Sequence, residues 1–129
     1  MPADDKDRSG DKYQIGKQVL TQDDLVKVIT VKGEAFKVKF PTPLDQERIE
    51  RDIAFRLGGN PLDSIPASAY NTIRMCVTLD YIIIEHPEWW KSAGECYDED
   101  LLNQLWEKYL NERDAFRRSL RENKFKRGS

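Results

Sequence analysis

The stretch MCVTLDYIIIEHPEWW, from Met75 to Trp90, decides the fold. Read at the helical period of about 3.6 residues, it is the second half of a long helix. Read for its β-branched residues, above all the run from Ile82 to Ile84, it is a strand. Length favours the helix, because no turn signal interrupts residues 67 to 85. Over residues 65 to 85 there are two stripes. Tyr70, Ile73, Val77, Tyr81 and Ile84 form one, and Ala69, Thr72, Cys76, Leu79 and Ile83 form the other. A helix apolar on nearly every side belongs in the middle of a domain. Ser64 is a fair cap for its start. Pro87 restricts His86 and is expected to stop it.

Downstream, a helix is predicted over about 98–120. Asp98, Glu99 and Asp100 supply its cap and first-turn acids, and Leu102, Leu105, Trp106, Tyr109, Phe116 and Leu120 its apolar stripe. Arg113 falls within that stripe, its stem suited to lie along apolar surface. A basic tail, 121–129, follows. Upstream, PTPLDQERIERDIAFRLGG reads as a helix over 43–57, with Thr42 as cap, Pro43 at the first position and Gly58 as terminator. Ile49, Ile53 and Leu57 recur on one face, with Ala54 beside them. Before it, Phe36, Val38 and Phe40 alternate with Lys37 and Lys39, which is the period of a half-buried strand. Val26 to Val31 is its partner, and Lys32-Gly33-Glu34 is the turn of a hairpin over 26–40. Residues 1–18 alternate acids and bases and are expected to be a flexible arm. The sequence therefore predicts an α+β chain: an arm, a β-hairpin and a three-helix, bundle-like region, with a single domain over 19–120.

Composition agrees with one globular domain. The chain has 129 residues, 39% hydrophobic and 34% charged, with a formal charge of -2, too small to draw nucleic acid to the molecule as a whole. Two cysteines, Cys76 and Cys96, make no disulfide framework and read as reduced thiols, which suggests a cytoplasmic location. The opening MPADDKDRSGDKYQ has no apolar run of the kind a signal peptide needs. The run Tyr81–Ile84 falls far short of the roughly 20 residues of a membrane span, so no membrane association is expected.

Residues 85–100, EHPEWWKSAGECYDED, gather the only histidine, two of three tryptophans, a cysteine and several acids. The chemistry these suggest does not assemble. A structural zinc site wants four close ligands, and His86 and Cys96 have no second pair. YDEDLL lacks the alternating acids and glycine of a calcium loop. A Cys–His nucleophile would need an orienting third group, and none is evident. RLGGNP carries no lysine–serine pair to hold phosphate, and Gly58 is explained by the helix stop. No catalytic, metal or cofactor residues are assigned, and binding is expected in place of catalysis. Two partner-binding candidates remain. Trp89 and Trp90 are either a plug for the corner, with Trp106 near them, or an anchor for a partner. Adjacent residues on a helix cannot both face inward, so one is expected to be part exposed. The second candidate is the basic end, with Arg117, Arg118, Arg121 and Lys124 and with Phe125 among them. It could complement the helix dipole, meet an acidic protein surface, or contact phosphates.

The run FKVKFPTPLDQERIERDIAFRLGGNPLDSIPASAYN, then HPEWW, then YDEDLLNQLWEKYLNERDAFRRSL, resembles the small tail-assembly proteins of tailed bacteriophages. More narrowly it is similar to tail assembly chaperones encoded near the tape-measure gene. The resemblance covers about residues 25 to 120 and lies in architecture: a short β element, a helical region and an arginine-rich end. It implies a non-catalytic protein of the host cytoplasm that binds a tape-measure or tail-tube protein during tail morphogenesis and that could self-associate. It carries over no catalytic residues. A structural virion component of tail, neck or baseplate is the alternative. A small nucleic-acid-binding module using the basic end is the lesser one.

Overall fold

The computed structural model describes residues 12–15 and 18–125. Its elements in chain order are strands β1 (Lys12–Ile15), β2 (Gln18–Thr21), β3 (Val26–Val31) and β4 (Glu34–Lys39), helices α1 (Pro43–Leu57) and α2 (Ala67–Ile82), strand β5 (Ile83–Glu85) and helix α3 (Glu99–Arg121). Among the described residues the strands form two antiparallel sheets, β1-β2 and β3-β4-β5. The fold is α+β, as expected.

The β3–β4 hairpin is tighter than expected. Val31 pairs with Glu34, so the loop is Lys32-Gly33 alone. Both loop residues have positive φ, 52° and 79°, the signature of the type I′ turn whose twist suits a two-residue hairpin. Period two puts Ile29, Val31, Phe36 and Val38 inside, each at most 4% exposed. Helix α1 has the expected bounds for the expected reason. Thr42 Oγ1 accepts from the Asp45 N–H at 3.1 Å and Asp45 returns the favour, accepting from the Thr42 N–H at 3.0 Å. At the other end Gly58 takes φ 64°. Ile49 and Ile53 are buried, whereas Ala54 is exposed. Arg74 of α2 grips Glu50 of α1 through two bonds of 2.6 and 2.8 Å.

Both ends of α2 differ from expectation. Its start is set by Pro66, not Ser64, whose hydroxyl donates instead to the Pro61 carbonyl in a preceding turn. Its second half is buried on every side, from Met75 to Leu79, but its first turns are exposed. The helix stops at Ile82, before Pro87 can act, and Ile83–Glu85 becomes the third strand beside β4. The strand reading of the opening stretch therefore wins for its last three β-branched and acidic residues. The free edge of β4 offers them backbone partners that a further helical turn would forgo.

Helix α3 opens on Asp98, whose carboxylate accepts from the Leu101 N–H at 3.0 Å. Leu101, Leu102, Leu105 and Tyr109 are buried. Arg113 is half-buried, and its Nε has no hydrogen-bond partner among the described residues. The three helices share one core with the sheet. Within it α1 packs on α2, whereas α3 runs against β3, so the sheet joins them and not helix–helix contact alone. Lys108 of α3 donates to the Thr30 carbonyl of β3 at 2.8 Å.

The expected arm and tail both need correction. Residues 12–15 and 18–21 pair as a second hairpin, so the fold reaches beyond the expected boundary at 19; residues 1–11 lie outside the described residues. Val19 and Leu20 are buried, which the polar composition around them concealed. At the C-terminal end, α3 closes with Asn123 at φ 56°, the Asn123 N–H donating to Leu120 and the Lys124 N–H to Ser119, the paired bonds of a Schellman turn. This turn is clasped to β2. The buried Gln18 donates to the Leu120 carbonyl at 2.8 Å and accepts from the Phe125 N–H at 3.3 Å, and the Val19 N–H donates to the Phe125 carbonyl at 2.8 Å. Residues 121–125 are therefore part of the fold, and 126–129 lie outside the described residues.

Candidate functional site

The corner between β5 and α3 is where the candidate chemistry was concentrated. The chain turns at Pro87, with the Trp90 N–H donating to the Pro87 carbonyl at 3.1 Å. His86 Nδ1 lies 2.8 Å from the same carbonyl, which requires the proton on that nitrogen. Because Trp89 and Trp90 sit in a turn and not on a helix, they point in different directions. Trp90 is 5% exposed and meets Phe36 edge-on at 5.0 Å, whereas Trp89 is 48% exposed and meets Phe36 at 6.5 Å. One tryptophan is thus a core plug and the other stands at the surface. Trp106 packs against Tyr109, 5.7 Å between rings.

Past the tryptophans the backbone is pinned at two points. The Ala93 N–H donates to Asp80 at 2.7 Å, and the Ser92 hydroxyl to Glu95 at 2.9 Å. Burial pushes the Asp80 carboxyl above its ordinary value, and the Ala93 bond opposes that rise. The Cys96 thiol donates weakly to the Asp98 carbonyl at 3.7 Å, and the burial of Cys76 pushes its thiol up. Cys76 is therefore not primed as a thiolate nucleophile. Among the described residues no group of three or more His, Cys, Asp or Glu could hold a metal ion.

Lys32, from the β3–β4 turn, reaches across to this corner, with its Nζ 3.0 Å from Asp98 and 3.1 Å from Asp100. The Leu101 N–H, and then Lys32, hold the Asp98 carboxyl below its usual range; Asp98 and Asp100 in turn raise Lys32. Between the hairpin turn and the corner lies an open cleft of about 940 Å³. Its walls include Trp89, Trp90, Tyr97, Glu34, Glu95 and Lys91. Tyr97 is fully exposed. Sequence reasoning found the tryptophans and missed Lys32 and Tyr97. Lys32 lies 66 positions from Asp98, and Tyr97 belongs to no periodic stripe.

The second group of candidates is elsewhere. Arg117, Arg118, Arg121 and Lys124 are all exposed at the opposite end of the 23-residue α3. At about 1.5 Å per residue, that end is roughly 30 Å from the corner. The structure does not bring the two groups together. Phe125 does not interleave with the arginines: it is half-buried, 5.9 Å from the ring of Phe116, which itself stacks on Phe40 at 4.5 Å. No helix among the described residues is long and apolar enough to cross a membrane. Compared with known proteins, the chain matches no family model, no curated protein and no solved structure.

Proposed function

We propose that the chain is a non-catalytic protein-binding module whose docking point is the Trp89 corner. The observation that carries this is the division of labour between neighbours. Trp90 is locked in the core, and it holds the half-exposed Trp89 in one place at the lip of the cleft. An aromatic fixed before binding loses little freedom when a partner covers it, which is what makes such residues effective anchors. The fully exposed Tyr97 extends the same surface. Together with the resemblance to tail assembly chaperones, the reading is a transient binder of a tape-measure or tail-tube protein in a host cytoplasm.

The test is to titrate the purified chain with those two proteins while following tryptophan fluorescence, and to repeat it with Trp89→Ala. Binding that the substitution weakens at least about tenfold, the loss of one good anchor, supports the reading. Equal binding by both forms removes the Trp89 corner from it. Mass spectrometry of finished particles addresses the context. Absence from them fits a chaperone, and stoichiometric copies would make the chain a virion subunit instead.

A further inference from the structure

The cleft and the basic end are complementary in charge and in side-chain chemistry. The named cleft walls carry two cations, Lys32 and Lys91, against three carboxylates, Glu34, Glu95 and Asp98. Lys32 is already consumed by Asp98 and Asp100. That leaves Lys91 against Glu34 and Glu95 beside Trp89 and Tyr97, and Glu88 and Glu99, exposed on the flanking backbone, add to the acidic excess. At the far end of α3 the imbalance is reversed. Arg117, Arg118 and Arg121 are exposed, and among the described residues none of the three enters an ion pair. Lys124 reaches only Glu122, at 3.8 Å.

One molecule cannot bring these two ends together. They are roughly 30 Å apart along a continuous helix, and charges at the surface are screened beyond about 10 Å. Two molecules can. We infer that the Trp89 cleft of one copy receives the arginine-bearing end of α3 from a second copy. Arginine suits this cleft better than lysine would. Its planar guanidinium stacks on indole and phenol faces while forking onto a carboxylate. The Schellman turn and the Gln18 clasp keep the donor end in one shape, so that little order has to be imposed on association. Cleft and basic end are different patches, so each copy offers one of each and the contact is heterologous. The inference rests on reading the Trp89 corner as a protein-docking site and names its occupant.

Sedimentation equilibrium of the full chain tests it, with two variants. Trp89→Ala/Glu95→Arg spoils the cleft and leaves the basic end; Arg117→Glu/Arg118→Glu spoils the basic end and leaves the cleft. Circular dichroism checks that both fold, and all four positions are exposed. The expected results are a wild-type average mass that rises above 15.1 kDa with concentration and falls back with added salt, and two variants that stay at that mass. An equimolar mixture of the variants retains one intact cleft and one intact basic end per pair, and should return to twice the single-chain mass. A wild type that stays at the single-chain mass up to millimolar concentration overturns the inference. So does a mixture no heavier than its components, or a variant that still associates alone. If the wild type is monomeric yet Trp89 responds to a tape-measure or tail-tube protein, the second copy is wrong and the proposed function stands. If copies associate as described but neither protein binds, that function fails and the inference holds.

Discussion

Two hairpins open the described chain, and they stand in opposite relations to the rest of the molecule. Both are antiparallel pairs of short strands. The β3–β4 hairpin supplies Ile29, Val31, Phe36 and Val38 to the main core, to which all three helices also contribute. The β1–β2 hairpin buries Val19 and Leu20 outside that cluster, and the long-range hydrogen bonds of Gln18 and Val19 run to the end of α3 and the turn after it. One is foundation and the other is attachment. The lesson is that strand pairing alone says little about what a hairpin does; the fate of its inward side chains says more.

The largest expected effect falls on the foundation. Trp90→Ala, beneath Phe36, should lower global stability by about 3–5 kcal/mol in urea unfolding, while Trp89→Ala costs less than about 1.5 kcal/mol. Equal losses from the two would erase the distinction between plug and anchor. Next comes the attachment. Gln18→Ala removes the side-chain bonds to the Leu120 carbonyl and from the Phe125 N–H that join β2 to the end of α3, at about 1–3 kcal/mol. Its signature should be local, with faster amide exchange at β2 and residues 122–125 and unchanged protection in β4. Loss of protection everywhere would show that the two hairpins form one cooperative unit after all.

Gly33→Ala is a smaller test of the foundation. Nothing crowds the added methyl, but φ 79° strains any residue with a Cβ, at about 1 kcal/mol. Smallest is the strap between the hairpin turn and α3. The folded-state pKa of Asp98 is lowered, so its contribution is complete above about pH 4 and disappears as pH falls through the folded value. Asp98→Asn should therefore melt below the parent at pH 7, and the gap should close on acidification toward pH 2. A gap that persists there would mean that the cap acts through its shape and not its charge.

The legible parts of this fold are those whose signals are local. Thr42, Pro43 and Gly58 mark the bounds of α1, and the alternation of Phe36 and Val38 with lysines marks β4. The parts that escaped depend on distant partners. Ile83–Glu85 leaves the helix because β4 has an open edge more than 40 positions upstream. The β1–β2 hairpin sits in polar sequence and is held by backbone groups more than a hundred positions away. At the site, one of Trp89 and Trp90 is exposed as expected, but through a turn and not the helix from which that expectation was argued. Which one, and the presence of Lys32 beside them, depended on a turn and a crossing contact that no periodicity encodes.

The bond from Lys108 to the Thr30 carbonyl has one more consequence. It occupies one backbone carbonyl of β3, the border strand of the three-stranded sheet beside which α3 runs. The opposite border, β5, is only three residues long and ends in Glu85. The occupied carbonyl and the shortness of β5 both reduce the backbone on which a stray chain could grow as a further strand of this sheet. Strand addition at this sheet is therefore disfavoured, which leaves its contacts with other copies to side chains. Such contacts can be tuned and reversed by salt, where a shared sheet could not.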